Sequence, residues 1–335
     1  MKIAIHPVQG SFSDYWIKYC QANEIPYKIV NCYQNNIIEQ LIDCDVLMWH
    51  FYHAKAQDYL MAKQLLYAVS SSGKVTFPNF NTSWHFDDKV GQKYLLESIQ
   101  APLVPSYVFF NKDEALEWAA NARFPKVFKL RGGAGSVNVK LVKNRTHAIK
   151  LIKRAFGKGF KHDSLVPALD LFNKFLVGKA TLFSVFKGLL RPVKPTLFSK
   201  IHGKERGYIY FQDFIADNDH DIRVIVINEK AFAIKRMVRK NDFRASGSGD
   251  ILYEKELFDD KTLKLSFEMA EKLRMQCVAF DFVYQAETPM VVEISYGFSP
   301  VGYGPCPGFW DKDLNWHAGE FDPYGWMVEE VFTDR

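Results

Sequence analysis

Apolar residues come in short blocks over the first eighty positions, separated by stretches with helical patterning. Lys2–Ile5, Tyr27–Val30 and Val46–His50 read as strands, and Phe12–Cys20 and Lys55–Val69 as helices. Alternation of this kind predicts a parallel sheet with helices on its faces. Gly73 and the Pro78–Asn81 stretch punctuate its end and place a boundary near residue 80. Ligands of such sheets gather beyond the carboxyl ends of the strands. Trp49, His50, Phe51, Tyr52 and His53 follow the third strand, as substrate contacts or as ordinary aromatic packing.

From Trp84 to Gln100 a helical pattern carries Asp87, Asp88 and Lys89 in its first turn. A strand is expected at Val104–Phe110 and a helix at Lys112–Ala120. The strand pair Pro125–Leu130 and Val137–Val142 is joined by a glycine-rich turn, with a helix following at about Arg145–Phe156. Further strands are expected at Tyr208–Phe214, Asp221–Ile227 and Ala231–Met237. A helix at Lys261–Leu273 precedes a last apolar pair, Cys277–Tyr284 and Met290–Ile294. No internal repeat and no low-complexity tract interrupts this order.

A chain of 335 residues is longer than one core usually serves, and 48% hydrophobic residues supply material for more than one. The 43 basic and 38 acidic side chains leave a formal charge of +5, too small a surplus to imply nucleic-acid binding. Cys20, Cys32, Cys44, Cys277 and Cys306 show neither C-x-x-C pairs nor zinc-ligand spacing, and read as reduced thiols of a cytosolic protein. The start, MKIAIHPVQG, lacks the apolar core of a signal peptide. No stretch approaches 18 uninterrupted apolar residues, so no membrane span is expected.

The run Phe128-Lys129-Leu130-Arg131-Gly132-Gly133-Ala134-Gly135-Ser136 is the first chemical signal. Glycines let backbone N–H groups approach phosphate oxygens, and Lys129 supplies a cation beside them. The lysine precedes the glycines, so this is not a Walker loop; a plain hairpin turn would look the same. Downstream, Asp281 lies on an apolar strand and Glu293 ends the next. Two carboxylates closing adjacent strands suit a hard, oxygen-liganded cation such as magnesium.

The order Asp88-Lys89, VFKLRGGAGS, FQDFI, HDIRV, KRMVRKNDFRASGSG, AFDFVY and VVEIS resembles the ATP-grasp superfamily, most nearly its ribosomal-protein glutamate ligase-like branch. The resemblance covers about Asp87 to Ser299. It implies an α/β chain of ATP-grasp type (α+β in the ATP-grasp part). A small parallel-sheet pre-ATP-grasp domain at 1–80 would precede a two-subdomain ATP-grasp unit at 81–335, its lid at about 123–210. It also implies ATP and Mg2+ as cofactors. Lys89 and Lys129 would hold phosphate oxygens, and the turn with Gly132, Gly133, Gly135 and Ser136 would fold over the triphosphate. Asp213 and Phe214 would sit at the adenine and Asp221 at the ribose. Arg244, with Ala245 and Ser246, and Arg236 would lie near the phosphates and the reaction centre, and Asp281 and Glu293 would bind magnesium. Two departures stand out: Ser295 occupies a position where the family usually has an asparagine ligand, and Ala-Ser follows Arg244 where Ser-Asn is usual.

The implied chemistry is ATP- and magnesium-dependent ligation of a carboxylate to an amine through an acyl phosphate, releasing ADP. A kinase of the same fold and a non-catalytic nucleotide-binding module are the alternatives. Between Asp170 and Glu205 no acidic residue occurs, while Lys174, Lys179, Lys187, Arg191, Lys194, Lys200 and Lys204 alternate with apolar residues. The segment 171–204 reads as an amphipathic helix packed on a lid, or as a surface that meets anionic lipid or a lipid-linked substrate. In the tail, Tyr303, Phe309, Trp310, Trp316, Tyr324 and Trp326 either staple the terminus or stack on sugar rings. Together these features suggest a glycan carboxylate of surface polysaccharide synthesis. The expected location is cytoplasmic, with membrane association as the variant.

Overall fold

Four three-residue strands open the chain: β1 (Ile3–Ile5), β2 (Tyr27–Ile29), β3 (Val46–Met48) and β4 (Val75–Phe77). They form a parallel sheet in the order β2-β1-β3-β4, as the alternation predicts, with β4 added to the expected three. The computed structural model describes residues 1–52, 55–132, 138–161, 197–239, 242–245 and 247–333. His53, Gly133, Gly135, Ser136, Ser246 and all of the basic segment before residue 197 lie outside the described residues. The chain forms two compact units: Met1–Phe86, Leu95–Pro102 and Asp217–Arg335 make one, and Asp87–Tyr94 with Leu103–Ala216 the other. The parallel sheet ends near residue 80, and these first residues share a unit with Asp217–Arg335.

Successive side chains of a strand point to opposite faces, so the parallel sheet feeds two cores. Ile3, Ile5, Val46 and Met48 join one cluster; Ala4, Leu47 and Trp49 join the other with Leu65, Leu66 and Val69 of the helix Ala56–Ser71. The helix Phe12–Ala22 starts where the Ser11 hydroxyl accepts the Ser13 N–H, and buries Phe12, Trp16 and Cys20.

The second unit is built on β5 (Ser106–Phe109), β6 (Lys126–Lys129), β7 (Lys140–Val142), β8 (Phe160–Lys161), β9 (Lys204–Glu205) and β10 (Ile209–Asp213). Its main sheet is antiparallel in the order β5-β10-β6-β7, and β8 pairs with β9. Helices Lys112–Asn121 and Arg145–Ala155, capped by Asn111 and Asn144, cover one face over Phe128, Ile209 and Phe211. The helix expected from Trp84 is broken: Asp87 takes a positive φ of 55°, and the helix starts at Lys89. Asp88 caps it, its Oδ1 accepting the Gly91 N–H at 3.0 Å.

The first unit is completed by β11 (His220–Ile227), β12 (Lys230–Met237), β13 (Ile251–Leu252), β14 (Cys277–Gln285), β15 (Thr288–Ser295), β16 (Gly308–Asp311) and β17 (Trp316–Ala318). They form a seven-stranded sheet in the order β15-β14-β11-β12-β16-β17, with β13 beside β12. Its apolar side chains Ile225, Ile227, Phe232, Ile234, Cys277 and Ala279 share a core with Ile3, Ile5 and Met48 of the first sheet. A helix at Pro323–Thr333 brings Trp326, Met327, Val328 and Val331 into the same core. These contacts staple the terminus to the sheet, one of the two roles expected for the tail. Tyr303, Trp310, Tyr324 and Trp326 are buried, Trp326 stacks on Phe321 at 5.1 Å, and Trp316 packs on Trp310 at 4.6 Å. The aromatic residues bind the terminus to the sheet because removing their large surfaces from water is favourable. All five cysteines are buried and free.

Candidate active site

One face of the seven-stranded sheet changes character along its strands. Asp221, Arg223, Ile225 and Ile227 alternate onto it from β11, Phe232, Ile234 and Arg236 from β12, and Cys277, Ala279 and Asp281 from β14. The register sets Asp221 opposite Arg236, Arg223 opposite Asp281, and Ile225 opposite Ala279. The apolar end is the core described above, and the charged end is a ladder. Arg236 donates Nε to Asp221 Oδ1 at 2.6 Å and Nη2 to Oδ2 at 2.7 Å, while its Nη2 also lies 3.0 Å from Asp281 Oδ1. Arg223 grips Asp281 with both Nε and Nη2, the latter at 2.6 Å, and Tyr303 lies beside Arg223. Arg236 and Asp281 are only 6% and 7% exposed, so the pairing must offset a large desolvation cost. Burial pushes the Asp281 carboxyl up, but Arg223 and Arg236 together outweigh it and hold the group below the usual carboxylate range. For Asp221 burial wins over Arg236, and its pKa is raised.

The same ladder extends to β15 through a bulge. Phe282 faces Val291 but Asp281 faces Glu293, so Val292 is the extra residue. The bulge brings Glu293, rather than Val292, directly opposite Asp281. Ser295 follows on the same face, opposite Ala279. The donors are hard oxygens at a strand end, and this chemistry fits magnesium. Among the described residues no group of three or more His, Cys, Asp and Glu gathers around a common point. A metal held by Asp281 and Glu293 would therefore take further oxygens from a nucleotide or water.

The second unit carries its own polar face. Lys129, Tyr210, Gln212 and Ser106 lie together across β6, β10 and β5. Lys129 Nζ donates to Gln212 Oε1 at 2.7 Å, and Gln212 Nε2 and the Tyr210 hydroxyl donate to Ser106 Oγ at 3.1 and 2.9 Å. Asp213 points to the opposite, core-facing side, where Lys126 Nζ meets its Oδ1 at 2.5 Å. Between Gln212 and Asp213, the side chain that reaches the Lys129 face is thus that of Gln212, and half-buried Phe214 follows the strand. Lys89 and Lys129 are 5% and 6% exposed. The Lys89 N–H donates to the Arg131 carbonyl at 3.0 Å, and the Arg131 N–H donates to the Tyr208 hydroxyl at 2.6 Å. These bonds tie the start of the Lys89–Ser98 helix to the strand end that enters the glycine turn, where Gly132 is buried.

Arg244 and buried Ala245 lie on the loop from β12 to β13. Arg244 Nη2 is paired with Asp242 Oδ2 at 2.6 Å, and its N–H also donates to Asp242, so the guanidinium is fixed from within its own loop. At the end of β3, Trp49 and Phe51 are core, Tyr52 is exposed, and His50 stacks on Phe12 at 3.7 Å. Arg223 and Gln212 adjoin the candidate residues without having been named among them, and Tyr303 was read only as a tail aromatic. The Arg of HDIRV was a visible signal for the first.

Residues 195–299 match the family model described as RimK-like ATP-grasp domain. The matched stretch is less than a third of the chain; it contains the whole ladder, Glu293 and Ser295, and excludes Lys89 and Lys129. A RimK domain ATP-grasp protein from Sphaerobacter thermophilus superposes with a TM-score of 0.56 at 13% identity, covering 99% of this chain and 100% of that one. D-alanine–D-alanine ligase from Bacillus anthracis, in complex with ATP, gives 0.56 at 13% identity over 99% and 96%. The biotin carboxylase domain of Hydrogenobacter thermophilus 2-oxoglutarate carboxylase, with MgADP, gives 0.61 at 10% identity over 100% and 70%. The fold is the ATP-grasp fold, as the order of the motifs implied. No curated protein matches the chain in sequence.

Proposed function

We propose that the chain is an ATP- and magnesium-dependent ligase that joins a carboxylate to an amine through an acyl phosphate and releases ADP. The observation that carries this reading is the ladder Asp221–Arg236–Asp281–Arg223 with Glu293 brought beside it by the bulge, on an ATP-grasp fold. Amide formation from a carboxylate needs a better leaving group than oxide or hydroxide. In the proposed reaction a carboxylate oxygen attacks the terminal phosphorus and ADP leaves. The amine then attacks the acyl carbon and phosphate departs with that oxygen.

Phosphoryl transfer asks the protein for position and charge neutralisation more than covalent work. Magnesium, held by Asp281 and Glu293, would supply electrostatic neutralisation of the phosphate oxygens. Arg223 and Arg236 fix the Asp281 carboxylate at one orientation, and Arg236 is the second cation of that face. In the other unit Lys129 and Lys89 would hold phosphate oxygens, with Lys129 aimed by Gln212. The main-chain groups at Asp213 and Phe214 would meet the base edge. Among the described residues no helix is long and apolar enough to cross a membrane. The glycan and membrane-surface expectations rest on tail aromatics that are mostly buried and on a basic segment that lies mostly outside the described residues. The proposed partners therefore stay a small-molecule carboxylate and an amine.

Thermal shift tests the nucleotide part. MgATP at millimolar concentration raises the Tm, because a ligand that binds only the folded state stabilises it by mass action. Lys129→Ala shrinks this shift. Lys126→Ala, on the opposite face of the same sheet, lowers the starting Tm and leaves the shift in place. A wild-type protein whose Tm is indifferent to adenine nucleotides would refute the reading.

A further inference from the structure

We propose that the Asp281–Glu293 site holds one divalent cation per nucleotide, and that Ser295 sets this number. The inference rests on the ligase reading and concerns the donor count of the same site. Asp281, Glu293 and Ser295 are the oxygen-bearing side chains on this end of β14 and β15. A carboxylate offers about four lone-pair positions. Arg223 takes one on each Asp281 oxygen and Arg236 a further one on Oδ1. Little of Asp281 is left for a metal beyond a single bond. Glu293 supplies the second protein ligand.

A second ion about 3.5–4 Å from the first would need another strong oxygen donor. The next position along the face is Ser295, a neutral hydroxyl that is already engaged. Its Oγ donates to the Gly297 carbonyl at 3.2 Å and accepts the Gly297 N–H at 3.2 Å. This turn has a structural task. It leads the chain off the sheet into the short helix Pro300–Tyr303, which sets Tyr303 beside Arg223. Among the described residues no third His, Cys, Asp or Glu completes the set. Asparagine at 295 could keep the turn, since its side-chain carbonyl also accepts the N–H two residues on, and its second lone pair would be a carbonyl ligand of the kind magnesium accepts.

The test is a manganese titration followed by electron paramagnetic resonance, with one equivalent of the non-hydrolysable analogue AMPPNP per protein. The wild type should immobilise one equivalent of Mn2+ with no spin coupling between metal ions. Ser295→Asn should immobilise two, with the coupling of a close Mn2+ pair. Two coupled ions in the wild type would overturn the inference, as would a single ion in folded Ser295→Asn. Failure of AMPPNP to bind at all would remove the ligase reading and this inference with it.

Discussion

Replacing Glu293 by Gln should lower the turnover of ligation by about a hundredfold or more, the usual loss when one preorganised electrostatic stabiliser is removed. The change keeps the shape of the side chain and deletes one negative charge. The bulge at Val292 places that charge directly across from Asp281, so the metal loses one of two carboxylates where phosphoryl charge has to be neutralised. A folded variant with much lower kcat and a raised magnesium requirement would match this account. Full activity with an unchanged magnesium dependence would show that these carboxylates are not the metal site.

The second large effect is on folding. Arg223→Met removes the guanidinium that grips both oxygens of Asp281 and leaves a buried carboxylate with Arg236 alone. Breaking a buried pair from one side costs about 3–5 kcal/mol, because the remaining charge stays desolvated. Urea denaturation should show a loss of that size at neutral pH. The double change Arg223→Met with Asp281→Asn should recover much of it, since no buried charge is then left without its partner. The pH dependence has a definite sign. Asp281 is depressed in the folded state, so its contribution is complete above the unfolded carboxylate pKa of about 3.9 and is lost as pH falls through the lower folded value. The penalty of Arg223→Met should therefore shrink in acid. A loss below about 1 kcal/mol at neutral pH would mean that the ladder contributes little to the fold.

Most elements of this fold were legible because their patterns are local. The helix Asp260–Leu273 and strands β11, β12 and β14 fall within a few residues of their expected bounds, since period and length decide them. The break at Asp87 was not visible, because a single residue with positive φ stops a helix whose pattern continues on both sides. The tail was read either as a staple or as a sugar platform, because aromatic content alone does not tell a stacked ligand from a core contact. Its helix Pro323–Thr333 is masked by a proline and a glycine. The candidate acids and lysines were named from the order of the motifs. Their partners were not: that Arg223 holds Asp281, or that Gln212 and not Asp213 reaches Lys129, depends on strand register, and a one-residue shift exchanges the faces. The bulge at Val292 is such a shift, invisible in VVEIS and decisive for Glu293.

The central claim is that the carboxylate itself takes up the terminal phosphoryl group, and the fate of its oxygen tests this most directly. Acid and amine pairs are first screened by mass spectrometry for ATP-dependent condensation. The active acid is then labelled with 18O in its carboxylate. Attack of a carboxylate oxygen on the terminal phosphorus, followed by displacement by the amine, carries one labelled oxygen into inorganic phosphate and yields ADP in equal amount with the amide. Label in phosphate, with ADP as the nucleotide product, is the expected result. Unlabelled phosphate, or label in AMP with release of pyrophosphate, would contradict it.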